Sequence, residues 1–330
     1  MEYMNGAMLY GIGDIRFEKM PMPKPGKGEV MIKSAVCLTC GTDVKTYIRG
    51  YPAIKEYPVP FGHGEISGTV AEVGEGVTKF KIGERVVAHN SAPCFECYYC
   101  KKERFCLCEN PVYVRGGYQE YLVIPERIVR INMFKIPDNI TYEEAAQLEP
   151  FSCAVHGSHR SHIRVGDTVV IIGSGPQGLY HLQMTRLAGA TRIIVTDLVD
   201  YRLRVAEKLG ADFIINVSKE NLEERVKELT GNRGPDVVIE AVGTPDTWEQ
   251  AVRIVGKGGT VNEYAGCKAG TEFKVSTQWL HYGELTITGT AHTVPYHVNR
   301  AFGLIISGSV DLKPIVTHHM SLNQILSAYR

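Results

Sequence analysis

From about Gly166 onward the chain alternates β-branched runs with amphipathic stretches, which leaves few architectures open. Residues 168–172 (TVVII) form the kind of continuous run expected of a strand buried on both faces. A helical pattern follows, then 192–196 (RIIVT). The next helical stretch, DYRLRVAEKLG, stops at Gly210, as helices commonly do at glycine. FIIN, a charged helix over 219–230 and the strand 236–240 (DVVIE) continue the series. Residues 259–264 and 284–290 read as its last strands. Strands that alternate with helices pair in parallel through right-handed crossovers, so this region predicts a doubly wound parallel sheet.

The first 150 residues have another texture. Short strands at 29–36, 66–73 and 85–89 are broken by glycines at 62, 64, 68, 74, 76 and 83. That spacing predicts a β-rich unit. A chain of 330 residues is long for one core and comfortable for two. The expected division is 1–155, 156–291 and a tail, 292–330, that loses the alternation and returns to the first domain.

Between the first strand and first helix of the alternating region lies GSGPQG, with Gly173, Gly175 and Gly178 in G-x-G-x-x-G. Such glycines permit a tight turn, close approach to a pyrophosphate and close helix–strand packing. The helix N-terminus presents free N–H groups and a positive dipole end to the phosphates. Pro176 suits the first helical turn, where a missing N–H costs nothing. Asp197 ends the second strand, placed to bind a ribose 2′-hydroxyl and to repel a 2′-phosphate. NAD is therefore expected over NADP, with Arg202 and Arg204 the nearby basic residues able to accept that phosphate.

Four cysteines, Cys94, Cys97, Cys100 and Cys108, share one loop spanning about 90–110, spaced C-x2-C-x2-C-x7-C. Four thiolates satisfy tetrahedral zinc and leave no position for water, so the expected metal is structural. Disulfides are the alternative, but the nine cysteines are odd in number and no secretory signal precedes them. A reducing, cytoplasmic setting favours metal. Cys106 lies in the loop but off the pattern. Basic and acidic residues balance at 36 each, which argues against a nucleic-acid partner, a zinc-ribbon binder included. No apolar run approaches the roughly 20 residues of a membrane span.

Three further fragments stand together: CGTDVK at 40–45, FGHGEISG at 61–68 and LEPFSC at 148–153. With them the chain resembles the zinc-containing medium-chain alcohol dehydrogenases, nearest the polyol (sorbitol) and threonine branch, from about residue 8 to the C-terminus. The resemblance implies an α/β protein: a GroES-like β-rich catalytic domain plus a Rossmann domain, with the active site in the cleft between them. It implies a catalytic zinc held by Cys40, His63 and Glu149, and a structural zinc in the four-cysteine lobe. Thr42 would pass the substrate proton onward, and Asp43 would orient the metal-bound histidine.

The family writes Gly-His-Glu contiguously, whereas here the order is Gly62-His63-Gly64-Glu65. Either a bulge keeps His63 on the metal, or the register is kept from the other side and Glu65 takes the usual place of the acid. His63 is the ligand favoured here, with Glu65 a further candidate. Lys45 stands where many relatives have a histidine, and the C-terminal SLNQILSAYR reads as a helix where relatives continue into a further strand.

The function so implied is hydride transfer from a secondary alcohol, a polyol first, to NAD. L-threonine oxidation is the second reading. Zinc-free quinone reductases and a catalytically impaired dinucleotide-binding relative are the other classes. A homo-oligomer, tetramer or dimer, is implied by resemblance alone. Cys37 reads as core. His156, His159 and His162, spaced every three residues, suggest one helix face and a metal, with polar surface or groups behind a metal ligand the favoured reading. Tyr47, Tyr51, Tyr118 and Tyr121 supply hydroxyls that suit a polyol.

Overall fold

The structure, a computed structural model, describes residues 2–51 and 54–329. It divides into two compact units, Met1–Ser152 with Val294–Arg330, and Cys153–Thr293.

The first unit is built on a five-stranded antiparallel sheet in the order Met133–Lys135, Arg85–Ala88, Ile66–Val73, Val30–Cys37, Tyr121–Ile124. Alternate residues of these strands, including Val30, Ile32, Ile66, Val70, Val86, Leu122 and Ile124, close one core. A second sheet joins Asp14–Pro21, Tyr3–Gly11 and Val59–Pro60. The Val30–Cys37 strand carries a register shift between Ser34 and Val36, just before the chain turns toward Cys40. There a helix starts, Gly41–Arg49, and its cap is unusual. The Cys40 sulfur accepts from the Thr42 N–H, while the Asp43 carboxylate accepts from the Cys40 N–H. The sequence thus writes a capping box with cysteine in the place of serine or threonine.

The second unit is a six-stranded parallel sheet in the order Phe213–Asn216, Arg192–Asp197, Thr168–Ile172, Val237–Glu240, Thr260–Glu263, Thr286–Gly289. The order reverses beside Thr168–Ile172, and in such sheets ligands bind outside the carboxyl ends of the strands at that reversal. The helix expected over 219–230 is shorter, Leu222–Leu229, because the Asn221 side chain accepts from the Glu224 N–H and sets the start. Helix Leu148–Arg160 stops before His162, whose φ of +52° takes the chain into a turn. The three histidines therefore do not share a helix face. His156 Nδ1 lies 2.9 Å from the carbonyl of His292.

The tail forms helix Pro295–Ile306 and then short turns. The segment 321–330 is not one helix: a 3-10 turn, Leu322–Gln324, precedes the single turn Ile325–Ala328, and Arg330 lies outside the described residues. Ile325 packs with Leu9, Phe61 and Tyr118.

Candidate metal centres and nucleotide site

The four-cysteine loop gathers its sulfurs by local backbone geometry. Cys94, Cys97, Cys100 and Cys108 have ligand atoms all within 4.8 Å of one another. The Cys94 and Cys100 sulfurs are 3.9 Å apart, close to the edge of about 3.8 Å that Zn–S bonds of about 2.3 Å give a tetrahedron. Backbone N–H groups already point at the sulfurs. Glu96 and Cys97 donate to Cys94, Glu109 to Cys97, and Cys94 to Cys108. Those donors lower the Cys94 thiol to about 6, whereas burial pushes Cys100 up to about 12. Among the described residues Cys106 stands outside this group. The donor set fits zinc, and binding would expel the remaining thiol protons.

The second centre is assembled over long distances. Cys40, His63 and Glu65 form another group with ligand atoms within 4.8 Å. Cys40 Sγ is 3.7 Å from His63 Nδ1, which in turn is 2.7 Å from Glu65 Oε1. Gly64 makes this possible. Its φ is +105°, and a Cβ there would come within 3.3 Å of the Asn90 side chain. The inserted glycine takes a left-handed conformation, and His63 and Glu65 both lie beside Cys40.

Asp43 ties the two loops together, though not by the route the resemblance implies. Its Oδ1 accepts from the backbone N–H of His63 at 2.7 Å and its Oδ2 from that of Cys40 at 3.0 Å. The His63 ring faces Glu65 and the amide of Asn90 instead. Thr42 sits in the first turn beside Cys40, its N–H 3.2 Å from the sulfur. Glu149 is buried at the start of the Leu148–Arg160 helix, with His89 Nε2 4.0 Å from its Oε1.

Three buried acids, Asp43, Glu65 and Glu149, perturb one another and the His63 imidazole here. Burial, then the charge of Glu65, raises Glu149 to about 8 and Asp43 to about 7. Burial works against charge on His63, but its hydrogen bond to Glu65 and the surrounding carboxylates raise it to about 10. Burial opposes charge on Glu65 too, yet the His63 hydrogen bond holds it below the ordinary range. Its Oε2 is buried without a hydrogen-bond partner among the described residues. A sulfur, an imidazole and crowded carboxylates, one oxygen unmatched, fit a divalent cation of zinc type.

His89 and Asn90 escape a reading of motifs. A signal was present in the strands: Ile66 pairs with Ala88, so the residues following Ala88 lie beside those preceding Ile66.

In the second unit, Gly173 and Gly175 form the turn from Thr168–Ile172 into helix Pro176–Leu187, with Pro176 at its first position. A Cβ on Gly178 would sit 1.8 Å from the Gly173 carbonyl, so only glycine allows this contact between helix and strand. Asp197 ends its strand with Oδ2 accepting from Ser174 N–H and Oδ1 from Val199 N–H. Arg202 lies 3.9 Å from it, half-exposed. Two buried acids were not anticipated. Glu240 and Glu263 are paired in register on neighbouring strands, and neither oxygen of Glu263 has a hydrogen-bond partner among the described residues. Burial, then the charge of Glu240, raises Glu263 to about 9.

A β-rich unit with two cysteine-based groups able to hold metal, in one chain with a dinucleotide-type parallel sheet, is the architecture of a dehydrogenase. Comparison with known proteins agrees. Residues 26–138 match the model of the alcohol dehydrogenase GroES-like domain, and residues 176–306 that of the zinc-binding dehydrogenases. The chain is 34% identical to sorbitol dehydrogenase of Bacillus subtilis (strain 168), over 98% of this chain and 92% of that one. It is 34% identical to L-threonine 3-dehydrogenase of Shewanella putrefaciens, over 94% and 90%. A zinc-binding dehydrogenase from Sinorhizobium meliloti, solved bound to NADP, superposes with a TM-score of 0.93 at 29% identity, covering 100% of this chain and 96% of that one. The chain belongs to the zinc-binding alcohol dehydrogenase family, near its sorbitol and threonine branch.

Proposed function

We propose that this enzyme oxidises a secondary alcohol, a polyol of the sorbitol type first, to the ketone, with NAD as hydride acceptor. The observation that carries the reading is the convergence of Cys40, His63 and Glu65, with the charge of Glu65 felt at the buried Glu149. Cys40, His63 and Glu149 would hold the metal, with Glu65 as partner or alternative ligand. Bound zinc would supply Lewis acidity that lowers the pKa of the substrate hydroxyl, and bound NAD would accept the hydride.

The chain's own residues do the rest. Asp43 holds the backbones of both ligand loops, which keeps Cys40 and His63 in place. Thr42, in the helical turn next to Cys40, takes the hydroxyl proton toward solvent. The glycine turn at 173–178 and the following helix N-terminus receive the pyrophosphate. The Asp197 carboxylate accepts from the ribose 2′-hydroxyl and disfavours a 2′-phosphate, which supports NAD over NADP even though the Sinorhizobium relative was solved with NADP. We place the enzyme in the cytoplasm as a homo-oligomer.

The polyol reading leans on the sorbitol dehydrogenase likeness, and the threonine dehydrogenase likeness supports L-threonine as the second substrate. The test is NADH formation by the zinc-loaded enzyme from sorbitol, xylitol, L-threonine, 2,3-butanediol and a simple secondary alcohol. The expected result is one polyol turned over well above the rest. Preference for threonine would replace the substrate, and silence across the panel with both zinc sites filled would overturn the catalytic reading.

A further inference from the structure

Asp43 is itself supported from a part of the chain remote in sequence. The Tyr118 hydroxyl, buried with its ring against Phe61, lies 3.1 Å from Asp43 Oδ2. The same oxygen is 3.1 Å from the Thr39 hydroxyl, 3.2 Å from the Leu38 carbonyl and 2.9 Å from the Tyr329 hydroxyl. A phenol has one proton to give and can accept two. Leu38 and Asp43 offer only acceptors, and the buried carboxylate is the stronger. Of the three acceptors it reaches, Leu38, Thr39 and Asp43, the Tyr118 hydroxyl donates best to the Asp43 carboxylate, which leaves the Tyr329 hydroxyl as the donor to Tyr118. The Tyr329 ring is clamped between Tyr47 and Phe61, at centroid distances of 5.5 and 5.3 Å. The result is a network that converges on Asp43: Tyr329 donates to Tyr118 and Tyr118 to the Asp43 carboxylate, which also accepts from the N–H groups of Cys40 and His63.

We propose that Tyr118 and Tyr329 are positioning residues for the catalytic metal centre, so that the segment around Tyr329 governs how firmly the centre holds its metal. This rests on the reading of Cys40, His63, Glu65 and Glu149 as that centre. Among the described residues neither phenol oxygen hydrogen-bonds a candidate ligand side chain; they act through Asp43, whose two oxygens each anchor one ligand backbone. Removing the Tyr118 hydroxyl leaves the ring packing intact but takes away the donor that orients Asp43. Removing the Tyr329 hydroxyl weakens the chain one step further out.

The experiment is zinc release from the full-length, zinc-loaded protein to a colorimetric chelator, for the parent, Tyr118→Phe, Tyr329→Phe and the double variant. The four-cysteine lobe serves as internal reference. Loss of a hydrogen bond behind a metal ligand costs about 10- to 100-fold in metal affinity. We expect release from the catalytic centre to quicken about 10-fold in Tyr118→Phe, less in Tyr329→Phe, and no further in the double variant than in Tyr118→Phe. The lobe phase should not change. The cobalt-substituted protein should show a shifted absorption band for the same centre in Tyr118→Phe. Unchanged release in both single variants overturns the inference, and so does acceleration of both phases together, which marks a general loss of fold. A parent that releases only the lobe zinc overturns the underlying reading of the centre and the inference with it.

Discussion

The two cysteine-based centres of the first unit solve one problem in opposite ways. The lobe draws all its candidate ligands from residues 94–108, sets them in tight turns at Phe95 and Glu103, and aims backbone N–H groups at the sulfurs. The other candidate centre draws on Cys40, His63 and Glu65, which arrive from a helix cap, a glycine-flanked segment and the residue before a strand, with Glu149 at a helix start proposed as a further ligand. Local geometry disposes the first toward metal. The second crowds buried acids whose burial and nearness to Glu65 raise Glu149 and Asp43, a strain that a divalent cation would relieve. A site made by local geometry is hard to adjust for chemistry, whereas one made by distant segments can retain unmatched groups that take part in a reaction.

The largest expected effect separates the two directly. Cys40→Ala should lower turnover by about 10³-fold or more, the several kcal/mol that a metal contributes to a transition state. NADH binding, followed by fluorescence, should survive and the lobe zinc should remain. Cys97→Ser should do the reverse. It should cost roughly 3 kcal/mol of stability in thermal or urea unfolding and lose the lobe zinc, leaving the other centre loaded. If either substitution emptied both centres, the independence of the two sites would be broken.

Alkylation of the metal-free protein sharpens the contrast. At pH 7.5 Cys94, lowered to about 6 by backbone donors, is largely thiolate, while burial and the charge of Glu65 hold Cys40 well above the ordinary thiol range. Iodoacetamide should therefore modify Cys94 about 100-fold faster than Cys40, read by peptide mass spectrometry. Equal rates would show that the thiols share one environment.

The smallest effect uses Glu263 as a control for Glu149. Both are buried carboxyls raised far above their ordinary value, but Glu149 has the imidazole of His89 4.0 Å away, whereas Glu263 is paired in register with a second acid, Glu240. Glu263 is protonated in the fold up to about pH 9, whereas the unfolded chain releases that proton near pH 4.5. The native state thus binds the extra proton between those values, and this contribution to stability falls as pH rises through that window. Glu263→Gln removes the penalty and should stabilise the protein by about 2 kcal/mol at pH 8, with the gain shrinking toward pH 4.5. Glu149→Gln should instead weaken retention of the catalytic zinc. A Glu263→Gln gain independent of pH would rule out the protonation account.

Legibility followed the range of the interactions. The parallel sheet could be read because strands such as Val169–Ile172 are wholly buried and so wholly apolar. Its ends were less legible: Asn221 shortened a helix through one side-chain hydrogen bond that composition does not announce. The two readings of Gly62–Glu65 could not be separated from sequence, because the outcome depends on a left-handed glycine packed against Asn90. The partnership of Tyr329 with Tyr118, 211 residues apart, has no local signature.

The sequence by itself determined what short spacing and periodicity encode: a four-thiol lobe, a glycine turn between strand and helix, and a β-rich region before an alternating one. Neighbouring residues have few conformations to choose from, and those choices are visible in their types. Only the tertiary structure decided that Glu65 joins His63 beside Cys40, that Asp43 grips backbones rather than a ring, and that His89 and Tyr118 stand behind the centre. Those contacts follow from strand register and from packing across the first unit, where a single residue of slip would carry a side chain to the opposite face.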